Sequence, residues 1–269
     1  MIKRLEPSGA QQLLNKARPG VVEVLDVRQA WEYSEMHLPG ARLIPLGDLL
    51  DRLGELDPDR PVLVYCRTGA RSNAAGKFLD GQGFSEVINL DGGLMGWQGV
   101  VAEGDADSGM IHFPDIEEIA DIYRFGYGME RSLEGFYTAL AGKAPAGESE
   151  RLFRMLAGFE GKHVRQLYAL YAQVAEEPLS REAFDALAQS EFAEGGLDPE
   201  SYVSDREQLF SDPLEAFELA MSIEAQALDF YMRCSRRSGS GPGAETFRRL
   251  AREEQGHLRM LTELFDRMA

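Results

Sequence analysis

Two short segments place a carboxylate and an imidazole one helical turn apart. They are "LAGFEGKHVRQL", residues 156–167, with Glu160 and His163, and "LAREEQGHLRML", residues 250–261, with Glu254 and His257. Positions 153, 156, 160, 163, 167 and 170 read Phe, Leu, Glu, His, Leu and Leu, and positions 247, 250, 254, 257, 261 and 264 read the same. Steps of three and four mark a buried helical stripe, so each ionisable pair lies in a core seam. The 94-residue shift that superposes the segments also superposes Glu130 on Glu224 and Tyr137 on Tyr231. Each half is therefore a helical hairpin with one Glu on its first helix and Glu-x-x-His on its second.

A buried carboxylate without a partner costs so much that it protonates or acquires one. Four Glu and two His converge here, and no Lys or Arg stands at an equivalent seam position. A salt-bridged surface patch would explain one such copy, but not two copies with matched Glu residues. Two divalent cations neutralise four carboxylates, which makes Glu130, Glu160, His163, Glu224, Glu254 and His257 the expected metal ligands. Mixed carboxylate and imidazole donors suit iron or manganese better than a structural zinc. Glu134, one turn beyond Glu130, is a further candidate, with an outer or surface role the stronger reading.

A second chemistry is written into "VLVYCRTGARSNAAGKFL". Cys66 ends an apolar β-like run and is followed by a small, basic loop that enters a helix. Backbone N–H groups and the helix N-terminus then point at its sulfur and favour an anion. Arg67 and Arg71 add positive charge, so the thiol is expected to be a nucleophilic thiolate. The other cysteine, Cys234, near the end of a helix, reads as incidental.

These residues require two different scaffolds. Up to about residue 104, β-rich runs at 21–27, 41–46, 61–66 and 86–93 alternate with helical segments, which predicts a mainly parallel sheet with helices on both faces. The Gly- and Asp-rich stretch "EGDADSGMIHFPD", residues 103–115, reads as a linker, taken as 105–114, and a helix start. Beyond it four long helices are expected over 115–141, 149–176, 212–237 and 243–268, with a shorter one over 180–193 and an irregular "EGGLDPESYVSD". Short, long and short connections suit a four-helix bundle with one crossover. The chain thus reads as multidomain, α/β over 1–104 and all-α over 115–269.

Over residues 1–104 the chain resembles a single-domain rhodanese. "DVRQAWEYSEMHLPGARLIPL" matches that family's Asp-Val-Arg, Glu-Tyr and His-x-Pro-Gly-Ala pattern, with Met36 where Gly is usual. "CRTGARS" matches its Cys-x4-Arg-Ser loop, and "NLDGGLMGW" its closing segment. The resemblance implies that Cys66 takes up sulfane sulfur as a persulfide and passes it to a thiol or cyanide. It further implies that the amides of Arg67, Thr68, Gly69, Ala70, Arg71 and Ser72 cradle the terminal sulfur, while the arginines attract an anionic donor such as thiosulfate. The six-residue loop is the length associated with sulfur donors rather than phosphate. Asp26 and Arg28 read as loop-supporting, and His37 as a packing residue.

Over about residues 112–269 the chain resembles the rubrerythrin-like, or erythrin, branch of the ferritin-like superfamily. That resemblance implies a di-iron centre on the six ligands named above, with manganese the alternative, and Tyr137 and Tyr231 as hydrogen-bonding groups behind them. Two departures stand out: Ala227 replaces an additional carboxylate, and the four cysteines of a rubredoxin domain have no counterpart among the chain's two. An external electron donor is therefore expected.

Composition narrows the partners. The net charge is -17, and Lys plus Arg against Asp plus Glu is 11 against 14 for residues 1–104 and 17 against 31 thereafter. Neither nucleic acid nor an anionic membrane surface is expected to bind so acidic a chain. With no signal-like or membrane-length apolar run, a cytoplasmic protein is expected, and the repeated hairpins suggest a homodimer. The leading expectation is a sulfurtransferase joined to a non-haem di-iron oxidoreductase that reduces peroxide or oxygen. The alternatives are an iron-handling ferroxidase or iron store with a sulfur-supplying module, and a bundle joined to a sensing module without turnover.

Overall fold

The computed structural model describes residues 2–110, 113, 118–188 and 212–268. The chain divides into two compact units, Met1–Ser108 and Gly109–Ala269.

The first unit is a five-stranded sheet with all its strand pairs parallel. Its elements run β1 (Lys3–Leu5), α1 (Pro7–Lys16), β2 (Glu23–Asp26), α2 (Ala30–Glu35), β3 (Arg42–Leu43), β4 (Val62–Tyr65), α3 (Ala70–Gly81) and β5 (Val87–Leu90). Strand order is β1-β5-β4-β2-β3. Every residue of β2, β4 and β5 is buried, as expected for inner parallel strands covered on both faces. Alternate side chains serve opposite layers: Leu25, Val62 and Val64 pack with Ala75 and Leu79 of α3, while Val24, Leu63 and Tyr65 pack with Ala10 of α1 and Tyr33 of α2. The period of two along each strand thus feeds two cores from one sheet.

Two details differ from expectation. Strand β1 lies outside the β-rich runs because it is an edge with a charged sequence, its Lys3 and Arg4 paired to Glu86 and Asp91. The run at 41–46 forms only two strand residues, since Pro45 leads directly into a 3-10 turn at Leu46–Asp48.

The second unit is helical: α4 (Ile119–Lys143), α5 (Glu148–Val174), α6 (Arg181–Leu187), α7 (Pro213–Arg237) and α8 (Pro242–Met268). Helices α4 and α5 form one tightly packed hairpin and α7 and α8 the other, with α4 also against α8 and α5 against α7. This is the helical arrangement that fits a ferritin-like bundle. The helix start expected at residues 115–117, the stretch 189–193 of the expected short helix and the irregular "EGGLDPESYVSD" lie outside the described residues, and within them α6 ends at Leu187 with Ala188 as its cap. Local signals set the ends: Asp212 accepts a hydrogen bond from the Leu214 amide with Pro213 at the first helical position, and Glu118 with Asp121 forms a capping box on α4. No described helix is long and apolar enough to cross a membrane.

Candidate cysteine loop and candidate metal centre

Cys66 follows β4 directly, and α3 begins four residues later. Gly69, at φ 96°, turns the chain into the helix, a left-handed conformation glycine adopts without strain. That turn aims the Gly69 amide at Cys66 Sγ (3.1 Å) and brings the Ser72 hydroxyl to 3.5 Å from it. Burial pushes the thiol pKa up, but hydrogen bonds from the Ser72 hydroxyl and the Ser72, Thr68 and Gly69 amides outweigh it, and the net direction is down.

The loop is backed from below by "DGG". Leu94 and Met95 donate their amides to the Cys66 and Arg67 carbonyls at 2.9 and 3.0 Å. A Cβ on Gly93 would lie 2.4 Å from the Cys66 carbonyl oxygen, so only glycine permits this approach. Arg67, Thr68 and Ala70 are exposed, and Ser72 is buried.

Arg71 is engaged within the protein. Its guanidinium grips Glu32 through two bonds, Nη1 to Oε2 at 2.6 Å and Nη2 to Oε1 at 2.7 Å. The hydrogen bonds from Arg71 outweigh burial and pull the Glu32 carboxyl down to about 2. Glu32 also closes the capping box of α2, so one carboxylate ties that helix to the cysteine loop. Glu32 belongs to the Glu-Tyr pattern, but its pairing across 39 residues is a tertiary fact. Asp26 and Arg28 form a buried ion pair at 2.7 Å, and Arg28 also donates to the Met36 carbonyl. His37 is buried and stacked on Tyr33, with ring centroids 3.6 Å apart.

In the second unit the six expected ligands meet. Glu130, Glu160, His163 and Glu254 form one group, and Glu160, Glu224, Glu254 and His257 another, with the ligand atoms of each group within 4.8 Å of one another. Glu160 and Glu254 belong to both, which is the geometry of two positions joined by shared carboxylates. His163 Nδ1 lies 2.9 Å from Glu130 Oε2 and 3.0 Å from Glu160 Oε2. His257 Nδ1 lies 2.9 Å from Glu224 Oε2 and 3.0 Å from Glu254 Oε2. The two imidazoles stack nearly parallel, 5.3 Å apart.

The tyrosines cross over between hairpins. Tyr137 of α4 donates to Glu224 Oε1 of α7 at 2.5 Å, and Tyr231 of α7 donates to Glu130 Oε1 of α4 at 2.7 Å. Each hydroxyl leaves the other oxygen of its carboxylate directed at the cluster. Glu134 pairs with Arg131 at 2.6 Å and belongs to neither group. Ala227 is fully buried in α7, and Cys234 is buried in an apolar cluster with Tyr231 and Phe247.

In this cluster burial competes with the charges of neighbouring groups. Burial and the neighbouring charges of Glu130 and Glu224 push Glu160 well up. For Glu130 and Glu224, burial is overcome by His163 and His257, and both go down. For the imidazoles, burial is overcome by the same carboxylates, and both go up. Both Glu160 oxygens are wholly buried without a well-aligned hydrogen-bond donor. A buried carboxylate left in that condition is costly, and coordination to a divalent cation relieves it. The donor set of four carboxylates and two imidazoles fits a pair of such ions. One contact was missed by sequence reasoning: Glu253 Oε2 lies 2.7 Å from His163 Nε2, on the side of the ring away from the cluster.

An α/β sheet that presents a cysteine in a loop of amides, followed by a helical bundle with a carboxylate and imidazole core, defines a two-module protein of thiol and metal chemistry. The family model for the rhodanese-like domain matches residues 7–99, and that for rubrerythrin matches residues 215–269. The chain belongs to the rhodanese-like family through its first module, and α7 and α8 carry the rubrerythrin match, which implies an iron centre.

Among curated relatives, the thiosulfate sulfurtransferase GlpE of Ectopseudomonas mendocina is 38% identical over 96 residues, covering 36% of this chain and 84% of that protein. The putative sulfur carrier protein YrkF of Bacillus subtilis is 38% identical over 78 residues, which are 29% of this chain; the chain spans only 42% of YrkF's length. A rhodanese-like domain protein of Staphylococcus aureus, solved by crystallography, is 27% identical with a TM-score of 0.33, covering 36% of this chain and 91% of that one.

Proposed function

We propose that the chain is a two-domain enzyme. Residues 1–104 are a persulfide-forming sulfurtransferase, residues 105–114 a linker, and residues 115–269 a non-haem di-iron oxidoreductase that reduces peroxide or oxygen. The observation that supports the second half is the sharing of Glu160 and Glu254 between two ligand groups, because a single cation would occupy one group and leave the remaining buried Glu and His of the other without an ion. The thiosulfate sulfurtransferase relatives and the lowered Cys66 thiol support the first half.

In the sulfur transfer, the Cys66 thiolate attacks the outer sulfur of thiosulfate. A new S–S bond forms to Cys66, the S–S bond of thiosulfate breaks, and sulfite leaves with the bonding pair. The Gly69 and Thr68 amides and the Ser72 hydroxyl stabilise the negative persulfide as they do the thiolate. An acceptor thiolate or cyanide then attacks the terminal sulfur, and Cys66 leaves as thiolate. Arg71, held by Glu32, maintains positive charge at the loop, and exposed Arg67 adds to it for an anionic donor.

In the bundle, Glu130 and His163 would hold one ion and Glu224 and His257 the other, with Glu160 and Glu254 available to either. Two iron ions there would supply the electrons that reduce peroxide or oxygen, and an external donor would restore them. Tyr137 and Tyr231 fix the carboxylates of Glu224 and Glu130 in place. Burial of Glu130, Glu160, Glu224 and Glu254 keeps water from competing for their oxygens.

The test is metal content per chain, measured on protein purified without added metal. About two irons per chain are expected, as in other bundles of this type. No bound iron or manganese, and no uptake of either when added, would refute the metal centre. Ferrous uptake far beyond that stoichiometry would instead favour an iron-storing role. Transfer from thiosulfate to cyanide that is unaffected by loss of Cys66 would refute the first half.

A further inference from the structure

On the reading that the cluster holds two divalent cations, we propose that Glu253 makes its two positions unequal, so that the position built by Glu130 and His163 binds its ion more tightly than that built by Glu224 and His257.

The two hairpins match under the 94-residue shift at all six cluster residues and at both tyrosines, but the match fails one residue before each shared Glu, where Phe159 stands in place of Glu253. The geometry carries the same break. His163 presents Nδ1 to Glu130, Glu160 and Glu254 at 2.9, 3.0 and 3.7 Å, and its far nitrogen, Nε2, to Glu253 Oε2 at 2.7 Å. His257 presents Nδ1 to Glu224, Glu254 and Glu160 at the same three distances, 2.9, 3.0 and 3.7 Å. Its ring, however, lies on Phe159, with centroids 5.0 Å apart and planes 16° from parallel.

The consequence is chemical. An imidazole that donates its Nε2 proton to a carboxylate is locked in one tautomer, and the carboxylate draws the N–H proton outward and leaves Nδ1 a stronger donor to a metal. A phenyl ring stacked on the imidazole offers no such acceptor. The Phe159 ring itself meets a cation rather than a carboxylate, with Lys162 Nζ 4.7 Å from its centre. Among the described residues the other polar contacts of the cluster are matched between the halves, because Glu160 and Glu254 are shared and each half has its own tyrosine; His257 is also a little more exposed than His163, at 11% against 4%. Glu253 is thus a positioning residue that acts through His163. Partners of this kind change metal affinity by about 10- to 100-fold.

The experiment is titration of the metal-free, full-length chain with cobalt(II), followed by calorimetry and by the visible absorption of bound cobalt. The wild-type chain is expected to bind two ions in two steps separated by about tenfold or more. In Glu253→Gln the tighter step weakens by about 10- to 100-fold while the weaker step is unchanged, so the two converge. In Phe159→Leu, which removes the ring without adding an acceptor, the tighter step is retained. Melting of each variant without metal establishes that it is folded, and the wild-type isotherm tests the idea with no variant at all. Two equal wild-type steps, or equal weakening of both steps in Glu253→Gln, would overturn the inequality and leave the dinuclear site standing. A wild-type chain that takes up no cobalt would overturn both.

Discussion

The cysteine loop and the carboxylate cluster both hold negative charge away from water, yet they are made from different parts of the chain. The first is built by seven consecutive residues, Cys66–Ser72, and its stabilising donors are mostly backbone amides. The second draws six side chains from four helices, at positions 130 to 257, and no backbone amide takes part in the contacts described. A loop of amides depends on conformation, so glycines matter there as much as the nucleophile. A cluster of side chains depends on helix register, so removal of one carboxylate upsets the charge balance of all the rest.

The sharpest way to break this comparison is Cys66→Ala. Transfer of sulfur from thiosulfate to cyanide should fall to the uncatalysed background while the metal content of the bundle is unchanged; a fall in both would mean that the two sites are not independent. In the wild type, the same assay followed against pH should show an acid limb centred below 9.0, the ordinary thiol value, because hydrogen bonds lower the Cys66 thiol and the thiolate is lost only as pH falls through that lowered value. A limb at or above 9.0 would show that burial wins.

Next in size is the contrast within the cluster. Glu160→Ala removes a carboxylate common to both groups and should weaken both ions, taking content from about two per chain towards zero. Glu130→Ala removes a carboxylate of one group and should leave about one ion. Elemental analysis of the two purified variants checks this, and equal loss in both would deny the sharing.

A smaller effect is expected from Gly93→Ala. The new Cβ would sit 2.4 Å from the Cys66 carbonyl oxygen at a residue with φ 59°, so denaturant unfolding should show a loss of about 1–3 kcal/mol together with slower sulfur transfer. Unchanged stability would show that the loop has more slack than its amide geometry implies.

The smallest is Glu32→Gln. Arg71 is 35% exposed, so solvent screening limits the pair to about 1 kcal/mol at neutral pH. The Glu32 carboxyl is pulled from 4.5 to about 2, so its contribution is present above pH 4.5 and lost as pH falls towards 2. Wild type and Glu32→Gln should therefore differ in stability at neutral pH and converge in acid.

Much of this protein is readable from its residues because the relevant signals are local or periodic. The apolar runs of β2, β4 and β5 announce inner parallel strands, and steps of three and four place Glu160, His163, Glu254 and His257 in helical seams. The internal repeat pairs the two Glu-x-x-His segments and their partner Glu residues, because a repeat preserves spacing. The charged edge strand β1 escaped the same reading, since its pairing to β5 is a matter of backbone hydrogen bonds rather than side-chain pattern.

What sequence determined by itself, then, was which residues carry the chemistry and which kind of element bears each. Tertiary structure alone decided how they combine: that Glu160 and Glu254 are common to both groups, that the tyrosines cross between hairpins, that Arg71 is held by Glu32, and that His163 leans on Glu253 while His257 leans on Phe159. These are contacts between elements far apart in the chain, fixed by the register in which helices and sheet pack. Periodicity within one element specifies which face is buried, but not which atom of a neighbouring element that face will meet.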